Sequence, residues 1–163
     1  VVLNNLVAWA VTTSRIRLKS DGTPWRPVVH IEDIAQAFTR VLAAPREPVH
    51  DRAFNVGATN QNFRIRDLAA IVAEAVPGCQ VEFAPGASAD ARNYRVNCDR
   101  IRDELGFAPR WTAALGAAQL RDAYRRIGLT LDEFEGPRYQ RIAHLRSLLA
   151  AGAVDTSLRP LAS

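Results

Sequence analysis

The chain has 163 residues, 48% of them hydrophobic and 23% charged, with a net charge of +4. That is enough chain to bury one core, and the balance is that of a globular protein rather than a disordered or fibrous one. No apolar run approaches 18 residues, so no membrane span is expected. The first residues, Val1-Val2-Leu3-Asn4-Asn5, lack the basic start and small-residue cleavage site of a secretory signal. Two cysteines, Cys79 and Cys98, are too few for a disulfide framework or a zinc site and read as inert thiols in a cytoplasmic protein. Of 21 basic residues only Lys19 is a lysine. The arginines are scattered, and no basic run is interleaved with aromatics, which speaks against nucleic-acid binding. There is no methionine, so Val1 is not read as a translation start, and a longer parent polypeptide is expected.

In chain order, Leu3, Leu6, Val7 and Ala10 repeat at helical spacing and predict a helix to about Thr12. Ile16-Arg17-Leu18 alternates as a short strand, and Ser20 to Pro24 is turn chemistry. Val28 to Ile31 reads as a strand. Asp33 is expected to cap a helix to Leu42 with Ile34, Phe38, Val41 and Leu42 on one face. Phe54-Asn55-Val56 reads as a short buried strand closed by Gly57. Ile65, Leu68, Ile71, Val72, Ala75 and Val76 predict an amphipathic helix that stops at Pro77-Gly78. Gln80 to Phe83 is a strand and Pro85 to Ala91 a loop. Asp99 is expected to cap a helix through Leu105, Thr112 another through about Ile127, and Gly136-Pro137 precedes a last helix carried by Tyr139, Ile142, Leu145 and Leu149. About four short strands among many helices define an α/β fold and suggest part of a sheet completed elsewhere.

The absences are as informative. A dinucleotide site needs glycines spaced so that backbone can approach a pyrophosphate at a helix N-terminus. No two glycines here are closer than eight residues. No tyrosine is followed by lysine four residues later: Tyr94, Tyr124 and Tyr139 are followed at that spacing by Cys98, Gly128 and Ala143. Neither G-x-S-x-G nor H-E-x-x-H occurs. His30, His50 and His144 are far apart in sequence and read as structural.

Four segments in order carry a family resemblance: Asn4-Asn5-Leu6-Val7; Gly22-Thr23-Pro24-Trp25-Arg26-Pro27-Val28-Val29-His30-Ile31-Glu32-Asp33; Phe54-Asn55-Val56-Gly57; and Asp90 to Pro109 with Asp99 and Leu105-Gly106-Phe107. Together they resemble the C-terminal portion of an extended short-chain dehydrogenase/reductase, the NAD-dependent nucleotide-sugar epimerases and dehydratases such as UDP-glucose 4-epimerase. The resemblance implies the last strands and helix of a Rossmann-type NAD(P)-binding fold, residues about 26–57. It also implies a small α/β substrate-binding lobe, about 1–25 and 58–127. Residues 128–163 would be a helical extension.

By the same resemblance Arg26 clamps the nucleotide diphosphate, Asn5 and Asn55 meet the substrate, and Asp90 touches the nucleotide. Ala87 stands where the family often has an arginine, so Arg92 or Arg95 would take its place; Pro27 replaces the usual aspartate. The implied parent is an NAD-dependent, homodimeric enzyme on a nucleotide-sugar. This chain would hold its substrate clamp, while the cofactor and the catalysis belong to the missing N-terminal half, leaving the chain alone inactive. The competing reading is a non-catalytic nucleotide-binding or structural module that reuses the half-fold.

Overall fold

A computed structural model describes residues 2–88 and 93–161. Its first helix, α1 (Val2–Thr13), runs straight into strand β1 (Arg15–Ser20), where Ile16 and Leu18 are buried and Arg15 and Arg17 exposed. That alternation is the mark of a strand with one covered face. β1 pairs in parallel with β4 (Gln80–Ser88), Ile16 opposite Val81 and Leu18 opposite Phe83, with a register shift before Ser20. A parallel pair needs a long crossover, and the chain supplies strand β2 (Trp25–Pro27), helix α2 (Ile31–Ala43), strand β3 (Asn62–Arg64) and helix α3 (Ile65–Ala75) between the two. β2 and β3 form a separate antiparallel pair. Beyond β4 come helices α4 (Asp99–Leu105), α5 (Ala113–Arg126), α6 (Leu131–Glu135) and α7 (Arg141–Ala150).

The main core joins α1, α3 and α5 over β1: Leu6, Val7 and Ala10 meet Ile16, Leu18, Leu68, Val72 and Ala117. Leu6, Val7, Ala10, Leu68 and Val72 are the helical-spacing positions read from the sequence, which explains why α1 and α3 fell where periodicity put them. A second cluster, Ala8, Leu129 and Phe134, pins α6 to α1, with Trp9 edge-on to Phe134. A third, Ala37, Ile101 and Phe107, joins α2 to α4.

Several expectations are corrected. The strand expected at Val28–Ile31 lies three residues earlier, at Trp25–Pro27; Val28 still donates its N–H to Gln61 O, but Ile31 is already helical. Phe54–Val56 forms no ladder among the described residues, because no described strand runs beside it. Asp33 does not cap α2. His30 does, its ring accepting from Glu32 N, while Asp33, 2% exposed, accepts from the backbone N–H groups of Arg110 and Trp111 at 2.8 and 3.1 Å.

The apolar face of α2 points outward, with Ile31, Phe38 and Leu42 at 69%, 66% and 85% exposure. Cys98, not Asp99, is the N-cap of α4, whereas Thr112 caps α5 as expected, accepting from Leu115 N. The short α6 was not foreseen, and Tyr139 precedes α7 rather than belonging to it. The loop read at Pro85–Ala91 is strand backbone as far as Ser88.

Candidate substrate-binding site

The β2–β3 pair is fixed from both ends. Gly22 has φ +75, and a Cβ there would come within 2.8 Å of Arg66 Cβ, so only glycine allows α3 to approach this turn. Arg66 N donates to Gly22 O and Ile65 N to Pro24 O. Asp21 accepts from the Thr23 backbone N–H and hydroxyl, and those bonds hold its carboxyl below the usual carboxylate range.

Side chains alternate along this pair. Trp25 lies opposite Arg64, and Arg26 opposite Phe63. Arg26 is half-buried; its Nη1 donates to Trp25 O at 2.7 Å, and its guanidinium lies 5.6 Å from the Tyr94 ring centroid. On the Trp25 face, Arg64 and Arg95 approach the indole to 5.3 and 5.1 Å. Sequence reading had singled out Arg26 and had held Arg95 as a substitute, but missed Trp25, Arg64 and Tyr94. Only the antiparallel register brings Trp25 and Arg64, 39 positions apart in sequence, together, so no local pattern could have signalled them.

The 93–98 segment that carries Tyr94 and Arg95 is tied down along its length. Asn93 Oδ1 accepts from Trp25 N. Asn62 brackets Val96, donating to its carbonyl and accepting from its N–H. Asn55 Nδ2 donates to Asn97 O at 3.0 Å, and Thr59 Oγ1 accepts from Cys98 N and donates to Asp99. The Thr59 hydroxyl and Asn97 amide draw the Asp99 carboxyl below its usual range. Burial and the neighbouring Asp99 charge push the Cys98 thiol up, in keeping with an inert cysteine.

Of the five predicted site residues, Arg26 and Asn55 are brought against the same 93–98 segment. Asn55 is engaged there as a tie, beside a small crevice of about 150 Å³ that Pro27, Val28, Val29 and Gly57 share. Asn5 is half-buried in the first turn of α1, and its neighbour Asn4 lines a larger cleft of about 460 Å³. Asp90 and Arg92 lie outside the described residues.

The larger cleft is neutral. His30 forms one wall, stacked 3.9 Å from Trp111 at 12°. Its Nδ1 accepts from Glu32 N, which leaves the proton on Nε2 to donate to Gln119 Oε1 at 2.7 Å. Trp111 Nε1 donates to Glu32. These bonds and Asp33 fasten the start of α5 to the start of α2. Among the described residues no cluster of His, Cys, Asp and Glu could hold a metal, and no helix is long and apolar enough to cross a membrane.

A parallel β1–β4 pair under three helices, with a separate arginine-bearing antiparallel β2–β3 pair, is an α/β arrangement shared with Rossmann-type dehydrogenases. The NADPH complex of RMD from Pseudomonas aeruginosa matches at TM-score 0.61 and 19% identity, over 78% of this chain and 43% of that one. L-threonine dehydrogenase from Clostridium difficile matches at TM-score 0.64 and 14% identity, over 76% and 40%. At such identities these likenesses establish the fold. In sequence, the NAD dependent epimerase/dehydratase family model matches residues 2–57. UDP-glucose 4-epimerase from Mycolicibacterium smegmatis is 31% identical over 110 residues, 67% of this chain and 34% of that protein. UDP-glucuronic acid decarboxylase 4 from Arabidopsis thaliana is 26% identical over 110 residues, 67% and 24%. The chain belongs to the NAD dependent epimerase/dehydratase family, within the extended short-chain dehydrogenases/reductases. It spans about a quarter to a third of the length of these curated relatives.

Proposed function

We propose that this chain supplies the substrate-binding part of an NAD-dependent nucleotide-sugar epimerase or dehydratase and holds the nucleoside diphosphate of its substrate through Arg26. One observation carries the reading. Arg26 sits on the antiparallel β2–β3 pair, its guanidinium steered by Trp25 O and the Tyr94 ring, within a segment that the family model matches. A guanidinium so held can offer two N–H groups to two phosphate oxygens, which a lysine cannot. Asn5, Asn55, Asp90 and Arg92 are the further contacts proposed for the substrate. Residues about 1–25 and 58–127 form the substrate lobe in this reading, and 26–57 complete a Rossmann sheet.

The residues present do not fit NAD itself. The glycines with positive φ, Gly22, Gly57, Gly78, Gly106, Gly128 and Gly152, each stand alone in a separate turn, and no tyrosine precedes a lysine by four residues. The cofactor and the proton-transfer groups are therefore assigned to a part of the parent protein outside this chain. The exposed face of α2, with Val29 also 41% exposed, is the side proposed to meet that part. An apolar stripe of this kind marks an interaction surface, and the ladderless Phe54–Val56 segment offers its backbone groups.

The test is Arg26→Ala in the complete enzyme. One or two charge-assisted hydrogen bonds are worth about 1.5–3 kcal/mol each, so KM for the nucleotide-sugar should rise about tenfold to a hundredfold. Arg26→Lys should recover part of the loss. An unchanged KM for both variants would remove Arg26 from the clamp.

A further inference from the structure

Two guanidinium groups converge on one indole on the face of the β2–β3 pair opposite Arg26. Arg64 comes from β3, directly across the ladder from Trp25, and Arg95 from the 93–98 segment; their Cζ atoms lie 5.3 and 5.1 Å from the Trp25 ring centroid. Like charges this close repel each other. Among the described residues no carboxylate forms an ion pair with either guanidinium. Asp67, the nearest acid in sequence to Arg64, accepts from its backbone N–H.

The indole face attracts both cations through its quadrupole. A guanidinium held near a ring face by its Cζ can still turn N–H groups outward to a ligand. Both carriers are anchored: Arg64 by the β2–β3 ladder, Arg95 by the Asn93 and Asn62 bonds on either side of it. The site is thus prepared before any ligand arrives, and among the described residues no carboxylate is paired with it.

We propose that Trp25, Arg64 and Arg95 form a second anion subsite, separate from Arg26, that takes a phosphate-class oxyanion, with Trp25 as the positioning residue for both guanidinium groups. Alternation along β2 and β3 separates the two sites: Trp25 and Arg64 share one face, Arg26 and Phe63 the other. Two forks suit a tetrahedral, multiply charged oxyanion better than a single carboxylate, since each fork can pair two oxygens. The phosphate could come free or on a nucleotide, and the experiment separates these sources.

The chain is titrated calorimetrically with inorganic pyrophosphate, UDP and uridine at low salt, with a circular-dichroism melt of every variant. Pyrophosphate should bind, and Arg64→Gln and Arg95→Gln should each weaken it about tenfold, the loss of one charge-assisted bond. Both changes are also made in the Arg26→Ala background, where pyrophosphate held at the proposed Arg26 clamp no longer contributes and the same loss of about tenfold should appear in pyrophosphate binding. Trp25→Leu should weaken it as much as either arginine change although both arginines remain, and Trp25→Phe should restore most of the affinity; a merely structural tryptophan would give no such anion-specific rescue. If Trp25→Leu does not fold, Arg95→Gln decides, because Arg95 is an exposed side chain.

Equal pyrophosphate affinity in wild type, Arg64→Gln and Arg95→Gln would overturn the subsite and leave the three side chains a stabilising cation–π ladder. Binding of both pyrophosphate and UDP that is lost in Arg26→Ala and untouched by Arg64→Gln and Arg95→Gln would overturn it too, while leaving the proposed function standing. Pyrophosphate binding that depends on Arg64 and Arg95, with no UDP binding, would keep the subsite and count against the proposed function. UDP binding lost in Arg95→Gln, with no binding of pyrophosphate or uridine, would support the subsite with a nucleotide as the source.

Discussion

Asp33 is the one charged side chain among the buried described residues, and removing its charge should cost more stability than any other polar change in the chain. Its Oδ1 accepts from Arg110 N at 2.8 Å and its Oδ2 from Trp111 N at 3.1 Å, across 77 and 78 residues of sequence. These bonds dock the start of α5 on the start of α2 and so form one wall of the neutral cleft. Each hydrogen bond to a charged group is worth about 1.5–3 kcal/mol, and a buried donor left unpaired carries its full desolvation penalty. Because both bonds share one carboxylate we take a joint loss of about 3 kcal/mol for Asp33→Ala.

Asp33→Asn is the sharper test. It preserves size but presents an NH₂ to one of the two N–H groups, so it loses one bond and sets two donors against each other. It should cost nearly as much as alanine. For a chain of this length each kcal/mol moves the melting temperature by about 2–4 °C, which gives a drop of about 6–12 °C. Differential scanning calorimetry of wild type, Asp33→Ala and Asp33→Asn measures it. Glu32→Gln, at the exposed Trp111 Nε1 bond, is the control and should stay within about 0.5 kcal/mol. An Asp33→Asn protein that melts within about 1 °C of wild type would refute the assignment, since a bond pair of this kind cannot be lost so cheaply.

Three further outcomes are expected. Phe38→Glu with Leu42→Lys, on the outward face of α2, should abolish hydrophobic-dye binding and self-association of the isolated chain while changing stability by less than about 0.5 kcal/mol per site; a fall in stability of several kcal/mol would mean that the face is already covered. The isolated chain should bind neither NAD nor NADH in calorimetric titration, and micromolar binding would reveal a cofactor site of another kind. The depressed Asp99 carboxyl contributes stability that is present above the ordinary aspartate range and is lost as pH falls through its folded value. Thr59→Val removes the largest cause of that depression, so its stability deficit relative to wild type should shrink as pH drops below that value; a deficit of constant size would assign the cost to packing instead.

Much of this protein was legible in the sequence. The helices α1 and α3 appeared from apolar spacing because each buries a single continuous stripe, and a stripe is a local property of the chain. Thr112 announced its helix because capping needs only the next three residues. The four-segment order of Asn5, Arg26, Asn55 and Asp99 gave the family, since order survives when individual motifs are short.

Tertiary structure decided the rest. Strand identity at Val28–Ile31 and Phe54–Val56 could not be read, because a strand exists only where a partner supplies its ladder, and the partner of Trp25–Pro27 is Asn62–Arg64. The role of Asp33 followed from Arg110 and Trp111, far along the chain, rather than from the helix beside it. The outward face of α2 reads in sequence like any core-facing stripe; only packing shows which stripes find a cover. The convergence of Arg64 and Arg95 on Trp25 is likewise a product of register and of a returning segment, and side chains 39 and 70 positions from Trp25 meet it only once the chain has folded.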